Sequence, residues 1–241
     1  MKQNDRPLYA VLIDADNIPA KFASAILKEI TSFGEPALRR VYGDWSSGQL
    51  ANWTGTVRAL GLVAHQETAN TKGKNASDIG LVIDAMDILH TGRFDGFVLV
   101  SSDSDFTALA NRIREHGLDV IGIGEGKAPE SLRNVCNRFI LIENIVDEVP
   151  ITPAIKGEAP APVSGKQPPV NAVPLILRAM DKIDQDDEWY ALGPLGQYIM
   201  ADNPDFDTRT YGKRKLSDLV QELKRFETRK VGSQFQLRRR D

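Results

Sequence analysis

The sequence predicts an α/β protein, a mainly parallel sheet flanked by helices, followed by a small α+β module. Three observations carry this. Short apolar runs alternate with amphipathic ones through residues 1–149; residues 150–170 are rich in Pro, Ala and Gly with no apolar periodicity; and residues 171–241 read as helices closing on a β-ribbon. The expected organisation is therefore a first domain over 1–149, an extended linker over 150–170 and a second domain over 171–241.

In the first domain, LYAVLID (8–14) reads as a buried strand, and IPAKFASAILKEITSF (18–33) as a helix with Pro19 in its first turn. ALRRVYGDW (37–45) is a second strand, GQLANWTGTVRAL (48–60) a helix and GLVAHQ (61–66) a third strand. ASDIGLVIDAMDILHTG (76–92) follows as a helix, with Ile79, Val82, Ile83, Met86 and Leu89 expected on its buried face and Asp84 and Asp87 on its solvated face. DGFVLVSS (95–102) is a strand, DFTALANRIREHG (105–117) a helix closed by Gly117, LDVIGIG (118–124) a strand, PESLRNVC (129–136) a helix and RFILIE (138–143) a strand. Such βα alternation implies a parallel sheet with helices on both faces.

After the linker, 173–184, 189–200 and 210–226 read as three helices and 227–240 as a short β-ribbon, an order compatible with a winged helix. The helix expected over Lys213 to Phe226 begins with Lys213, Arg214 and Lys215 and has an apolar face of Leu216, Leu219, Val220 and Leu223.

Composition narrows the class. With 41% hydrophobic and 26% charged residues the chain is an ordinary globular protein. No apolar run approaches the roughly 18 residues that span a bilayer, and MKQNDRPLYAVLIDAD is acidic where a secretory leader is apolar, so a cytoplasmic location with no membrane association is expected. One cysteine, Cys136, excludes an intramolecular disulfide and a Cys-based zinc site, and its apolar neighbours suggest a buried thiol. The formal net charge of -3 is unevenly spread: residues 1–150 carry 15 basic against 20 acidic side chains, and Thr208 to Arg240 carry 11 against 3. A basic second half suits an anionic partner.

In open α/β sheets the site lies beyond the carboxyl ends of the strands, near the point where strand order reverses. Two acidic clusters fall at such ends: DADN, with Asp14, Asp16 and Asn17, after the first strand, and SSDSD, with Asp103 and Asp105, after the fourth. Asp78 opens the helix after the third. Carboxylates gathered in a cleft raise each other's pKa unless a cation is present. Mg²⁺ or Mn²⁺ is the natural counter-ion, since hard dications prefer carboxylate and water oxygens. Structural roles compete: Asn17 or Asp105 could be helix N-caps, and Asp78 could offset a helix dipole. Ser101, Ser102 and Ser104 stand beside acids rather than a histidine base, which suits orienting hydrogen bonds better than a hydrolase triad.

VLIDADNI, KGKNASDIGLVIDAM, GFVLVSSDSDFTALANRIREHGLDVIGIG and SLRNVCNRFILIE together resemble the NYN family of PIN-like ribonucleases, over nearly all of residues 7–145. The resemblance implies a PIN-like fold and Mg²⁺- or Mn²⁺-dependent RNA cleavage leaving a 5′ phosphate. It puts metal-binding acids at Asp14, Asp78 and Asp103, accompanied by Asp105, with Asn17 as polar partner and Lys72 and Lys74 where substrate phosphate could be held. One departure is the extra carboxylate of DADN, Asp16, whose role stays open. A second resemblance, over 189–226 and carried by LGPLG, FDTRTYGKRKLSDL and Phe226, is to the OST-HTH, or LOTUS, winged-helix domain. It implies binding of RNA or of a protein partner, with Lys213, Arg214, Lys215 and Arg225 meeting an RNA backbone.

Other signals are weaker. GIGEGK (122–127) fails the P-loop pattern, because Lys127 is followed by Ala128 rather than Ser or Thr, and reads as a flexible βα loop beside the cleft. His65, His90 and His116 share no zinc-ligand spacing. Two other functions remain open: a haloacid-dehalogenase-like phosphohydrolase with Asp14 as nucleophile and Asp16 as general acid, and a non-catalytic RNA-binding adaptor.

Overall fold

The computed structural model describes residues 6–46, 48–66, 76–146, 166–185 and 187–240. The chain divides into two compact units, 1–155 and 156–241. Among the described residues no helix is long and apolar enough to cross a membrane.

The first unit is built on six strands, β1 (Leu8–Asp14), β2 (Glu35–Gly43), β3 (Val63–Gln66), β4 (Gly96–Val100), β5 (Asp119–Gly124) and β6 (Arg138–Leu141). They are all parallel, in the order β3-β2-β1-β4-β5-β6, so strand order reverses between β1 and β4. Alternate side chains of a strand face opposite ways, and β1 shows it. Val11 and Ile13 join one core with α1 (Ala23–Ile30), α2 (Ala51–Leu60) and α6 (Ile142–Val146). Ala10 and Leu12 join the other, with α3 (Ala76–His90), α4 (Thr107–Glu115) and α5 (Glu130–Val135). Helices on both faces and a fully parallel sheet match the expected class.

Several elements differ in detail from expectation. A 3₁₀ turn at Ala20–Phe22 precedes α1, and Pro19, in extended conformation, stands at its start. On α3 the buried stripe is Leu81, Ala85, Ile88 and Leu89, while Ile79 and Ile83 are 60% and 59% exposed. Apolar residues nearly encircle this helix, so periodicity alone cannot choose the face. The choice is made by β1 and β2, whose Ala10, Leu12 and Tyr42 receive Leu81 and Ala85. The same rotation turns Asp84 inward: it pairs with Arg40 and accepts the Tyr42 hydroxyl, whereas Asp87 is exposed. Asp84 is thus a buried-edge ion-pair partner rather than part of the solvated face.

In the second unit, α7 (Val173–Lys182), α8 (Leu192–Asp202) and α9 (Leu216–Glu222) pack on an antiparallel sheet of β7 (Tyr190–Ala191), β8 (Phe226–Val231) and β9 (Gln234–Arg239), ordered β7-β9-β8. Ala172, Ile176, Leu195, Ile199, Leu219, Val220 and Leu237 form its core. Gln167 donates its N–H to the Thr210 carbonyl at 2.8 Å, which ties the chain before α7 to this unit. The helix expected over 213–226 is limited to α9. A 3₁₀ turn at Thr208–Tyr211 ends at Gly212, φ 73°, a left-handed conformation that suits glycine, and Lys215 is extended. Lys213, Arg214 and Lys215 therefore lie on the turn leading into α9. Trp189 lies outside α8, with the guanidinium carbons of Arg229 and Arg238 4.0 and 5.0 Å from its ring centroid.

Candidate functional site

The site begins with Asp14, the last residue of β1 and 1% exposed. Its carboxylate is buried among donors. Oδ1 accepts the N–H groups of Asp16 (3.1 Å) and Asn17 (3.3 Å), and Oδ2 accepts Asn17 Nδ2 and Ser101 Oγ, both at 2.8 Å. Asn17 is therefore a partner of this carboxylate and not the cap of the following turn, which has no side-chain cap. Burial pushes the Asp14 carboxyl up, the bonds from Ser101 and Asn17 pull it down, and Asp16 pushes it up again, with a raised pKa as the outcome.

Across the strand-order reversal, Val100 pairs with Ile13, and the chain continues from β4 into SSDSD. Ser101 reaches Asp14 and also accepts the Asp103 N–H at 3.1 Å. Asp103 Oδ1 accepts the Asp105 N–H at 2.9 Å, so Asp103, rather than Asp105, caps the 3₁₀ turn Ser104–Phe106 before α4. Ser102 does not meet a carboxylate; its Oγ accepts the Glu125 N–H at 2.8 Å. Gly124, at the end of β5, permits this packing, since a Cβ there would lie 2.6 Å from the Ser101 carbonyl. The loop after β5 is held on several sides: Gly126 N–H bonds Glu143 at 2.8 Å, Arg133 bonds the carbonyls of Gly126 and Ala128, and Lys127 pairs with Glu125. It adjoins the acidic strand ends as expected, but as an anchored loop.

Asp78, in the first turn of α3, feels all the other acids. Burial first, then the charges of Asp14, Asp103, Asp16 and Asp105 in turn, push its carboxyl up to about 6. Thus the acids singled out in sequence do share one electrostatic neighbourhood. Asp16 is exposed and accepts Ser77 Oγ at 2.7 Å, a bond that joins the end of β1 to the start of α3. Ser77 carries no signal of this in sequence, because it lies 61 residues from its partner and only the fold brings them together. Lys72 and Lys74 lie outside the described residues.

Carboxylate oxygens are the right donors for a hard dication. As they stand, no three described His, Cys, Asp or Glu side chains converge closely enough to hold one ion, and all four acceptor positions of Asp14 are used by the protein. Elsewhere, Cys136 is buried, with its Sγ 3.2 Å from the Leu132 carbonyl, and burial pushes its thiol up to about 12, so it is an inert packing residue. In the second unit Lys213 is paired with Glu222, while Arg214, Lys215 and Arg225 are exposed.

An open, all-parallel sheet with carboxylates gathered beyond its two central strands defines a doubly wound α/β protein with a candidate site at the strand-order reversal. The chain belongs to the NYN domain family, whose pattern matches residues 9–143. Residues 167–237 match the OST-HTH/LOTUS domain. Both resemblances drawn from the motifs therefore hold. Among solved structures, a protein of unknown function from Vibrio parahaemolyticus is similar at 20% identity and TM-score 0.50, covering 59% of this chain and 96% of that one. MurG from Acinetobacter baumannii aligns at 13% identity and TM-score 0.38, covering 83% of this chain and 65% of that one. No curated protein matches the chain.

Proposed function

We propose that this protein is a Mg²⁺- or Mn²⁺-dependent endoribonuclease, with cleavage in residues 1–149 and RNA held by the winged helix of residues 171–241. The observation that carries the reading is the clustering around Asp78, where burial first and then the charges of four neighbouring carboxylates push one carboxyl up to about 6. Such repulsion calls for a cation. When bound, the ion would make a water more acidic and stabilise the leaving oxygen of a phosphodiester. Asp78 and Asp103 would hold it, Asp105 would bind or orient water, and water would complete the shell, as Mg²⁺ usually retains several waters. Asp14 would join by release of Ser101, whose hydroxyl is the rotatable donor of the four. Asn17 would then keep the Asp14 carboxylate in place.

The phosphohydrolase alternative would need the same release of Ser101, since Asp14 is 1% exposed with both oxygens occupied. It is separated by its covalent intermediate: a trapped aspartyl-phosphate would favour it, and RNA cleavage without one removes it. The adaptor reading is separated by experiment. Labelled RNA and DNA are incubated with the protein in Mg²⁺, Mn²⁺ or EDTA, beside Asp14→Asn and Asp103→Asn. RNA cleavage that needs metal and is lost in both variants is expected. Metal-dependent cleavage that survives both substitutions removes the site, and RNA binding with no cleavage leaves an adaptor.

A further inference from the structure

We propose that His90 and His116 form a second metal site, for a borderline dication such as Zn²⁺, at the end of the sheet opposite the acids. Helices α3 and α4 run back from the acidic edge, and their last turns arrive where β4 and β5 begin, with Gly96 paired to Asp119. His90 is the last residue of α3, and His116 directly follows α4. Both are exposed, their ring centroids are 5.9 Å apart, and the rings are inclined at 74°. Two imidazoles that share one ion at Zn–N distances of about 2.0–2.1 Å have centroids roughly 5–6 Å apart.

The His90 tautomer strengthens the case. Its Nδ1 lies 2.6 Å from the Met86 carbonyl oxygen. A carbonyl only accepts, so Nδ1 carries the proton and the neutral ring keeps its lone pair on Nε2. Histidine ligands commonly show this pattern, one nitrogen donating to a backbone carbonyl while the other binds metal. Both rings also sit at helix C-termini, where the dipole favours a cation. Imidazole suits Zn²⁺, Cu²⁺ or Ni²⁺ better than Mg²⁺, so the pair and the carboxylates would select different ions. No further described His, Cys, Asp or Glu joins them, so water would fill the remaining positions and the site would be weaker than a four-ligand structural one.

The sequence makes the test clean, because it holds three histidines and one cysteine, and that cysteine is buried. Tag-free full chain in excess Mg²⁺ is titrated with ZnCl₂ by calorimetry, and the imidazole resonances are followed by NMR. The resonances of His90 and His116 should move together while that of His65 stays. His90→Ala and His116→Ala should each weaken Zn²⁺ binding by at least about tenfold, the lower range for disturbing a histidine metal site, and His65→Ala should not. Unchanged affinity in either variant, or a shift confined to one imidazole, overturns the proposal.

Discussion

Replacing Asp78 by Asn should stabilise the protein at neutral pH, which is unusual for a change in a candidate active site. The folded carboxyl titrates near 6 rather than 3.8. Because the folded state holds its proton more tightly than the unfolded state, stability is fullest below about pH 4 and is lost as pH rises through 6. A shift of this size corresponds to about 3 kcal/mol for a shielded group. Solvent reaching the half-buried side chain reduces that to about 1–2 kcal/mol. For a domain of this size the gap amounts to about 3–6 °C in Tm. The assay is thermal unfolding of wild type and Asp78→Asn from pH 4.5 to 7.5 in EDTA, repeated with Mn²⁺. The variant's advantage should grow with pH and shrink when Mn²⁺ supplies the counter-charge to the wild type. A pH-independent gap, or a variant less stable at pH 7.5, would refute the electrostatic account of the cluster.

Four further outcomes can be checked. Asp84→Ala strands Arg40 and the Tyr42 hydroxyl and should cost about 1–3 kcal/mol in denaturant unfolding. Burial pushes the Asp84 carboxyl up, but bonds from Arg40 and Tyr42 outweigh it and leave the pKa lowered; the wild-type advantage should therefore fade as pH drops below the carboxylate range. Asn17→Ala removes the 2.8 Å bond that holds Asp14; the Mn²⁺ concentration needed for half-maximal cleavage should rise by about 10–100-fold, and a buried carboxylate left short of a donor should cost about 1–3 kcal/mol in unfolding. In filter binding, Arg214→Glu with Lys215→Glu should weaken RNA affinity and flatten its salt dependence, by roughly one unit of log–log slope for each phosphate no longer neutralised. Lys213→Ala should matter less, since Glu222 already engages it; unaltered RNA binding in the double variant would assign the surface to a protein partner.

The central strands β1, β4 and β5 were legible because each is buried on both faces and reads as a nearly unbroken apolar run, and the acids because they fall where the runs of β1 and β4 stop. Asp14 and Asp103 needed only that local contrast. The face of α3 was not legible, since Ile79, Val82, Ile83 and Met86 form as good a stripe as the Leu81, Ala85 and Ile88 that the sheet selects. The pairings of Ser77 with Asp16 and of Arg40 with Asp84 join residues 61 and 44 apart. Nothing in either local segment signals the partner. Likewise His90 and His116 have no ligand spacing in sequence and meet only because neighbouring parallel strands return their helices to one edge. The start of α9 differs from expectation for a backbone reason: Gly212 turns left-handed and resets the helix start beyond the three cations.

The indole of Trp189, flanked by the guanidinium groups of Arg229 and Arg238, makes the second unit its own optical reporter. Those cations lie close enough to perturb the excited ring, and a polyanion bound beside it would compete with the ring for them. The emission of this one fluorophore would then report, without a label, whether the β8–β9 ribbon takes part in RNA binding, read separately from Trp45 and Trp53 by replacing those two with Phe.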